Sequence, residues 1–346
     1  MKNSIVIKNG LVYDPLNNID GEKKDIYIED GIIVAKANGD AKVINVSGMV
    51  VMPGGVDIHS HIAGPKVNSG RALRPEDHII DPVSKTKLTR SGTGFSVPST
   101  WVTGYRYAQM GYTTVFEPAM PLLEARHTHE EFLETPIIDK GAFPLFGNNW
   151  FVLEYVRNKE IDKLAAYIAW ILKATKGYAV KLVNPGGVEN WAWGKNCDNL
   201  DSPVFHWDVT PRQIIESLAK ANEILELPHS IHVHCNNLGH PGNYPHTIET
   251  CKVTENIEPK GGRDTSIHIT HVQFNAYGGS NWNNFESGAS SIAEYVNSHK
   301  FLSMDAGQVV FTKYATTTMT GDGPNTIGLN PWCGQWDCLG EFLAPA

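Results

Sequence analysis

The sequence of 346 residues predicts an α/β protein led by a small all-β unit. Three observations carry that prediction. The first 52 residues hold only alternating, strand-type apolar patterns. From Gly55 onward, short apolar runs alternate with longer amphipathic segments, which implies parallel strands joined by crossover helices. Several of the short runs end in histidine. A boundary at residues 52/53 follows.

In the leading unit, IVIKNGLVYDP and DIYIEDGIIVAK are each broken by a turn dipeptide, NG at Asn9-Gly10 and DG at Asp30-Gly31. Both are strong short-range hairpin signals, so two hairpins are predicted. AKVINVSGMVVMPG supplies a third extended run. Beyond it, seven runs read as strands of the α/β part: VDIHSH, YTTVFEPA, FPLFGN, YAVKLVN, SIHVHCN, SIHITHV and FLSMDA. Helices are predicted over 160–175, 211–226 and 289–299. PRQIIESLAKANEILE carries apolar residues at 214, 215, 218, 221, 224 and 225, the spacing of one buried helical face. Thr210 ahead of Pro211 fits an N-cap with proline at the first helical position. An open sheet and a closed barrel fit this alternation equally well.

Composition excludes several classes. With 29 basic and 37 acidic side chains the formal charge is −8, which disfavours nucleic-acid and anionic-membrane partners. Hydrophobic residues at 41% and charged residues at 19% exclude a disordered tail. The longest apolar candidate, Leu164 to Leu172, falls well short of the roughly 18 residues a spanning helix needs. Five cysteines without a CxxC pair argue against a disulfide framework or a four-cysteine iron–sulfur site. MKNSIVIKNG has no signal-peptide character, so the cytoplasm is expected. No GxSxG elbow and no phosphate-cradling P-loop occur.

The chemistry is expected where histidines crowd strand ends. His59 and His61 in VDIHSH are two apart, so in a strand their rings lie on one side about 6.6 Å apart, within reach of a common metal. Two separately hydrogen-bonded histidines are the alternative. His232 and His234 repeat the spacing; His234 is nearer the rim, and His232 is expected to be a core or supporting histidine. His268 and His271 are an odd number apart, so alternation should turn only one inward, and His271 is chosen. Lys181 stands inside an apolar strand, where a lysine is rare. Either it is held in a salt bridge, or its pKa is lowered from about 10.4 and the free amine takes up carbon dioxide as a carbamate. Asp305 and Asp322 read either as rim carboxylates or as turn residues. The stretch from His61 to His78 reads as a long loop, and Trp191 and Trp193 as pocket wall or loop packing.

Taken together, VMPGGVDIHSH, the strand lysine and the later strand-end histidines resemble the amidohydrolase superfamily. That resemblance implies a β-sandwich portion over 1–52 and a metal-binding (β/α)8 barrel over 53–346. The runs VVMPGGVDIHSHIAGPKVNSGR, RPEDH, GYTTVFEPAMPLLEARHTHEE, VKLVNPGG, HVHCNNLGHPGN, THVQFNAYGG and TMTGDGP resemble, more closely, the A subunits of formylmethanofuran dehydrogenase. They cover nearly the whole chain up to about Pro324. The resemblance implies two zinc ions, His59 and His61 on the first, His234 and His271 on the second. Lys181, as N6-carboxylysine, would bridge them as the catalytic residue. It also implies condensation of formate with methanofuran to N-formylmethanofuran, the first step of carbon dioxide reduction to methane. The formate would come from partner subunits carrying a tungsten or molybdenum pterin and iron–sulfur clusters.

One departure stands out. The family's eighth barrel strand ends in a metal-binding, proton-shuttling aspartate within a DHPNG-like motif, and DHP does not occur here. NTIGLNPWCGQWDCLGEFLAPA matches nothing in the family pattern. The expectation is a barrel lacking its last strand, from a chain truncated or frame-shifted near residue 325 and impaired when alone. A cyclic-amide hydrolase of hydantoinase or dihydroorotase type, and a non-catalytic scaffold protein of a larger complex, are the alternatives.

Overall fold

The structure, a computed structural model, describes residues 4–37, 39–65, 67–68 and 100–306, and the backbone of an antiparallel pair at 309–311 and 316–318. The chain divides into two units, Met1–Gly55 and Val56–Ala346.

In the first unit the two turn dipeptides part company. Asp30 and Gly31 both take positive φ, 50° and 82°, and join β2 (Ile19–Glu29) to β3 (Ile32–Val34) as the expected two-residue hairpin. Asn9-Gly10 makes no turn. β1 (Ser4–Asp14) runs straight through it, and the pairing with β2 shifts register between Ile7 and Gly10, a β-bulge. β2 is as long as β1, so one continuous partner holds both halves of β1 extended. Asn9 absorbs the bulge at φ 66°; its N–H donates to Asp25 Oδ1 (3.0 Å) and its Nδ2 to Asn45 Oδ1 (3.0 Å). A Cβ on Gly10 would lie 2.6 Å from Val51 Cγ2, so a side chain has no room there. β1 is the sheet's centre, with β4 (Lys42–Asn45) and β5 (Val50–Val51) parallel to it.

The second unit contains all seven expected strands. β6 (Gly55–Asp57), β7 (Tyr112–Met120) and β8 (Asp139–Pro144) are successive neighbours. So are β9 (Lys181–Val183), β10 (Ile231–His234), β11 (Ile267–Ile269) and β14 (Leu302–Met304). A parallel bridge between Leu145 and Lys181 joins the two groups. The pairings β7–β8, β9–β10, β10–β11 and β11–β14 are all parallel. This is an arc of strands in chain order, with strand ends gathered at one rim. β8 starts and stops earlier than FPLFGN suggests, at Asp139 and Pro144. Besides the antiparallel pair at 309–311 and 316–318, a hairpin lies outside the expected set: β12 (Tyr277–Asn281) and β13 (Asn284–Ser287) stand between β11 and the helix Ala289–Ser298. Its YGGSNWNN sequence is rich in residues depleted from strands, which hides it from pattern reading.

Helices Ile161–Thr175, Pro211–Ile224 and Ala289–Ser298 match the periodic segments. Leu164, Ile168, Ile171 and Leu172 of the first and Ile214, Ile215 and Leu218 of the second pack with Val180, Leu182, Ile231, Val233, Ile267 and Ile269. Each such side chain contributes on the order of 1.5–3 kcal/mol by leaving water. The strand residues in this core alternate with the histidines and the lysine, which must therefore face the opposite side. That alternation positions the site.

Thr210 forms a full capping box. Its hydroxyl accepts from Gln213 N–H (3.3 Å), and Gln213 Oε1 accepts from Thr210 N–H (2.9 Å). Thr210→Ala is expected to cost about 1 kcal/mol, read as a lower urea midpoint at unchanged slope.

Cys197, Cys235 and Cys251 are buried free thiols. Among the described residues no helix is long and apolar enough to cross a membrane. Of the loop expected over 61–78, only 61–65 and 67–68 are described; Asp322 and the TGDGP run lie outside the described residues.

Candidate metal centre

Register places the key side chains in one layer. Lys181 of β9 pairs with His232 of β10, His232 with His268 of β11, and His268 with Ser303 of β14. Parallel neighbours in register point the same way, so these four share a face, and His234 lies on that face one pleat higher. Lys181 opens β9, at the level of His232, and is 1% exposed.

His59 meets this layer from the end of β6. Its N–H donates to Asp57 Oδ1 (3.0 Å), and the next residue's N–H bonds Phe116 O of β7 (3.0 Å). Its Nδ1 lies 2.8 Å from His232 Nε2, with the rings stacked at 5.1 Å. His232 is itself stacked between His268 (4.8 Å) and Phe143 (4.5 Å). The core role expected for His232 is therefore incomplete: Nε2 faces His59 at the centre. Asp305, one residue past β14, completes the group. Its Oδ2 is 3.0 Å from His268 Nε2 and 4.0 Å from His59 Nδ1, and its Oδ1 accepts the His271 N–H. His59, His232 and Asp305 each offer a ligand atom within 4.8 Å of the others.

A second pair stands beside the first. His234 Nδ1 and His271 Nε2 are 3.1 Å apart, and the His271 ring is 5.0 Å from that of His59. His271 has φ 37°, a left-handed conformation that breaks strand alternation. That is why the expectation for β11 fails: both His268 and His271 turn inward.

His61 contacts a carboxylate that the histidine motifs do not point to. Its Nδ1 is 2.7 Å from Oε1 of Glu117, a β7 residue. An acid in the apolar run VFEPAM is the same anomaly that singles out Lys181, and that signal would have found Glu117. Trp193 packs on Phe205 (5.4 Å) and His206 (4.9 Å), as loop packing.

The electrostatics suit cation binding. Burial, then the charge of Lys181, pushes His232 well below 6.5, so it is neutral with a lone pair to offer. For Asp305, burial works upward, but the His268 hydrogen bond and the His59 and His271 imidazoles outweigh it and hold the carboxyl at about 2. The donor set also fits in distance. Two nitrogens each about 2.0–2.1 Å from one tetrahedral zinc lie about 3.3 Å apart, close to the observed 2.8 and 3.1 Å.

Residues 42–327 match the family described as "Amidohydrolase family". The chain belongs to that family. Over 94% of its length it is 61% identical to "Protein FwdA" of Methanocaldococcus jannaschii, covering 57% of that protein. Over 90% of its length it is 34% identical to the FhcA component of the formyltransferase/hydrolase complex of Methylorubrum extorquens, covering 56%. The solved formyltransferase/hydrolase complex (FhcABCD) of that organism, in complex with methylofuran, superposes on 89% of this chain and 55% of its own with a TM-score of 0.79 at 34% identity. This amidohydrolase chain thus spans between half and three-fifths of the relatives it matches. The resemblance to the A subunits of formylmethanofuran dehydrogenase and the fold class read from the sequence are both borne out.

Proposed function

We propose that this chain forms the amidohydrolase part of the A subunit of a formylmethanofuran dehydrogenase and serves N-formyl transfer between formate and methanofuran. The observation that supports this most is the cluster of buried His59 and His232 with Asp305, beside the His234–His271 pair, on a chain so similar to FwdA and FhcA. In this reading His59 and His61 would hold one zinc ion and His234 and His271 another, with Lys181, as a carbamate, a further ligand. His232 and Asp305 stand within ligand distance of His59 and belong to the same centre.

When bound, zinc supplies Lewis-acid polarisation of a formyl carbonyl and lowers the pKa of water to about 7. The chain's own groups do the rest. The Lys181 amine adds carbon dioxide and releases one proton, giving a carbamate with a carboxylate-like pair of oxygens. Asp305 takes the His271 backbone N–H on one oxygen and His268 on the other, fixing both segments. Burial keeps bulk water from the cluster, which favours condensation over hydrolysis. Formation and hydrolysis of an amide share one transition state, so one site serves both directions.

The FhcABCD complex of the Methylorubrum relative supports partner subunits here too. In this reading those subunits would carry the tungsten or molybdenum pterin and iron–sulfur clusters, and formate would pass from them to this one. The assembly in the cytoplasm, loaded with zinc and bicarbonate, should form N-formylmethanofuran from formate and methanofuran. Hydrolysis of dihydroorotate or hydantoin instead would move the protein to the cyclic-amide hydrolases. Neither activity, with no zinc bound, would make it a scaffold.

A further inference from the structure

The buried acid of β7 is held more completely than the other carboxylate at the centre. Glu117 is 1% exposed, and both its oxygens are occupied. Oε2 accepts the N–H groups of Ile62 (2.9 Å) and Ala63 (3.3 Å). Oε1 accepts the Ala119 N–H (3.2 Å) and faces His61 Nδ1 at 2.7 Å. Backbone N–H groups only donate, so three of these four contacts fix the side chain as an acceptor. The fourth reaches the HxH motif itself.

We propose that Glu117 is the positioning residue of this metal centre: it holds His61 in the Nδ1–H tautomer and clamps the segment after β6 onto β7. The inference rests on the metal reading above. An imidazole binds a metal through a nitrogen that carries no proton, and which nitrogen that is depends on the bond made by the other. With its proton directed at Glu117 Oε1, the lone pair of His61 lies on Nε2. Ile62 and Ala63 follow His61 directly, so the same carboxylate sets both the rotation of the ring and the path of its backbone. A purely structural acid would need only the three amide contacts.

Glu117→Gln tests this at nearly constant volume. The amide oxygen must stay with the Ile62 and Ala63 N–H groups, which leaves the NH2 group facing His61 Nδ1. That nitrogen must then accept, and the proton moves to Nε2. Metal-free protein titrated with Co2+ in competition with a chelator should show affinity about 10- to 100-fold weaker in E117Q, with an altered visible spectrum of the bound cobalt. An unchanged dissociation constant and spectrum, whatever happens to thermal stability, would overturn the proposal.

A measurement without substitution at Glu117 guards against misfolding of the variant. In 15N-imidazole NMR of the metal-free chain, with His61 assigned by its loss in His61→Asn, the proton should reside on Nδ1; a proton on Nε2 overturns the role. If the unaltered chain binds neither Co2+ nor Zn2+, this role and the metal reading fall together. If it binds and E117Q binds equally tightly, the role of Glu117 alone falls.

Discussion

Lys181→Ala should leave the chain with only a minor fraction of the zinc that the unaltered chain takes up. Lys181 is buried at the level of His232 in a strand whose neighbours Val180 and Leu182 are both core residues. A buried amine carries a desolvation cost that a polypeptide tolerates only with a compensating partner or a chemical use. In the metal reading that use is the carbamate shared by both ions, and no neighbour can replace it. In that reading the imidazoles of His59, His61, His234 and His271 would each serve one ion. Truncation also empties space in the core, which by itself costs about 2–5 kcal/mol. Melting the metal-free forms of both proteins separates that loss from the loss of metal. A lysine kept only for a salt bridge would give the destabilisation with zinc content unchanged, and that result would remove the carbamate from the account. Omitting bicarbonate during reconstitution should reproduce the metal loss in the unaltered chain.

The second large effect concerns stability. Arg263→Ala is expected to lower the stability of the second unit by about 3–5 kcal/mol. Arg263 and Glu223 form a pair at 2.5 Å with side chains only 8% and 6% exposed. The guanidinium also donates to Leu227 O and Thr265 O, each at 2.8 Å, tying the loop after helix Pro211–Ile224 to the entry of β11. Removing it leaves the Glu223 carboxylate buried with the Lys260 N–H as its remaining described donor. At roughly 2–4 °C per kcal/mol for a domain of this size, the midpoint should fall by about 10 °C. Arg212 and Asp201 provide the contrast. They make two bonds of 2.8 and 2.9 Å, yet their side chains are 38% and 65% exposed. Water already solvates both charges, so Arg212→Ala should cost no more than about 1 kcal/mol. Equal losses in the two variants would contradict the assignment of the Arg263 effect to burial.

Much of the fold is legible in the sequence because its signals are local. The three helices follow from one apolar stripe each, and the capping box from Thr210 and Gln213. The seven strands are legible because helices separate them, so each apolar run stands alone. What escapes depends on long-range pairing. Asn9-Gly10 carries a hairpin sequence, but eleven residues of β2 hold β1 extended across it. The site is legible to the extent that alternation holds. Alternation places His232 and His234 on one face along β10, and it fails at His271, where the left-handed backbone brings the ring beside those of His59 and His234. Asp305 stays ambiguous between rim and turn because a carboxylate one residue past a strand is common in both. Its partners His268 and His59 come from β11 and the end of β6, and only the fold reveals them.

Anomalous X-ray scattering at the zinc edge, on crystals of the chain grown with zinc and bicarbonate, tests the central claim most directly. Two zinc peaks are expected beside His59, His61, Lys181, His234 and His271, with density for a carbamate on Lys181. No zinc at these residues, or zinc held elsewhere with Lys181 unmodified, would contradict it.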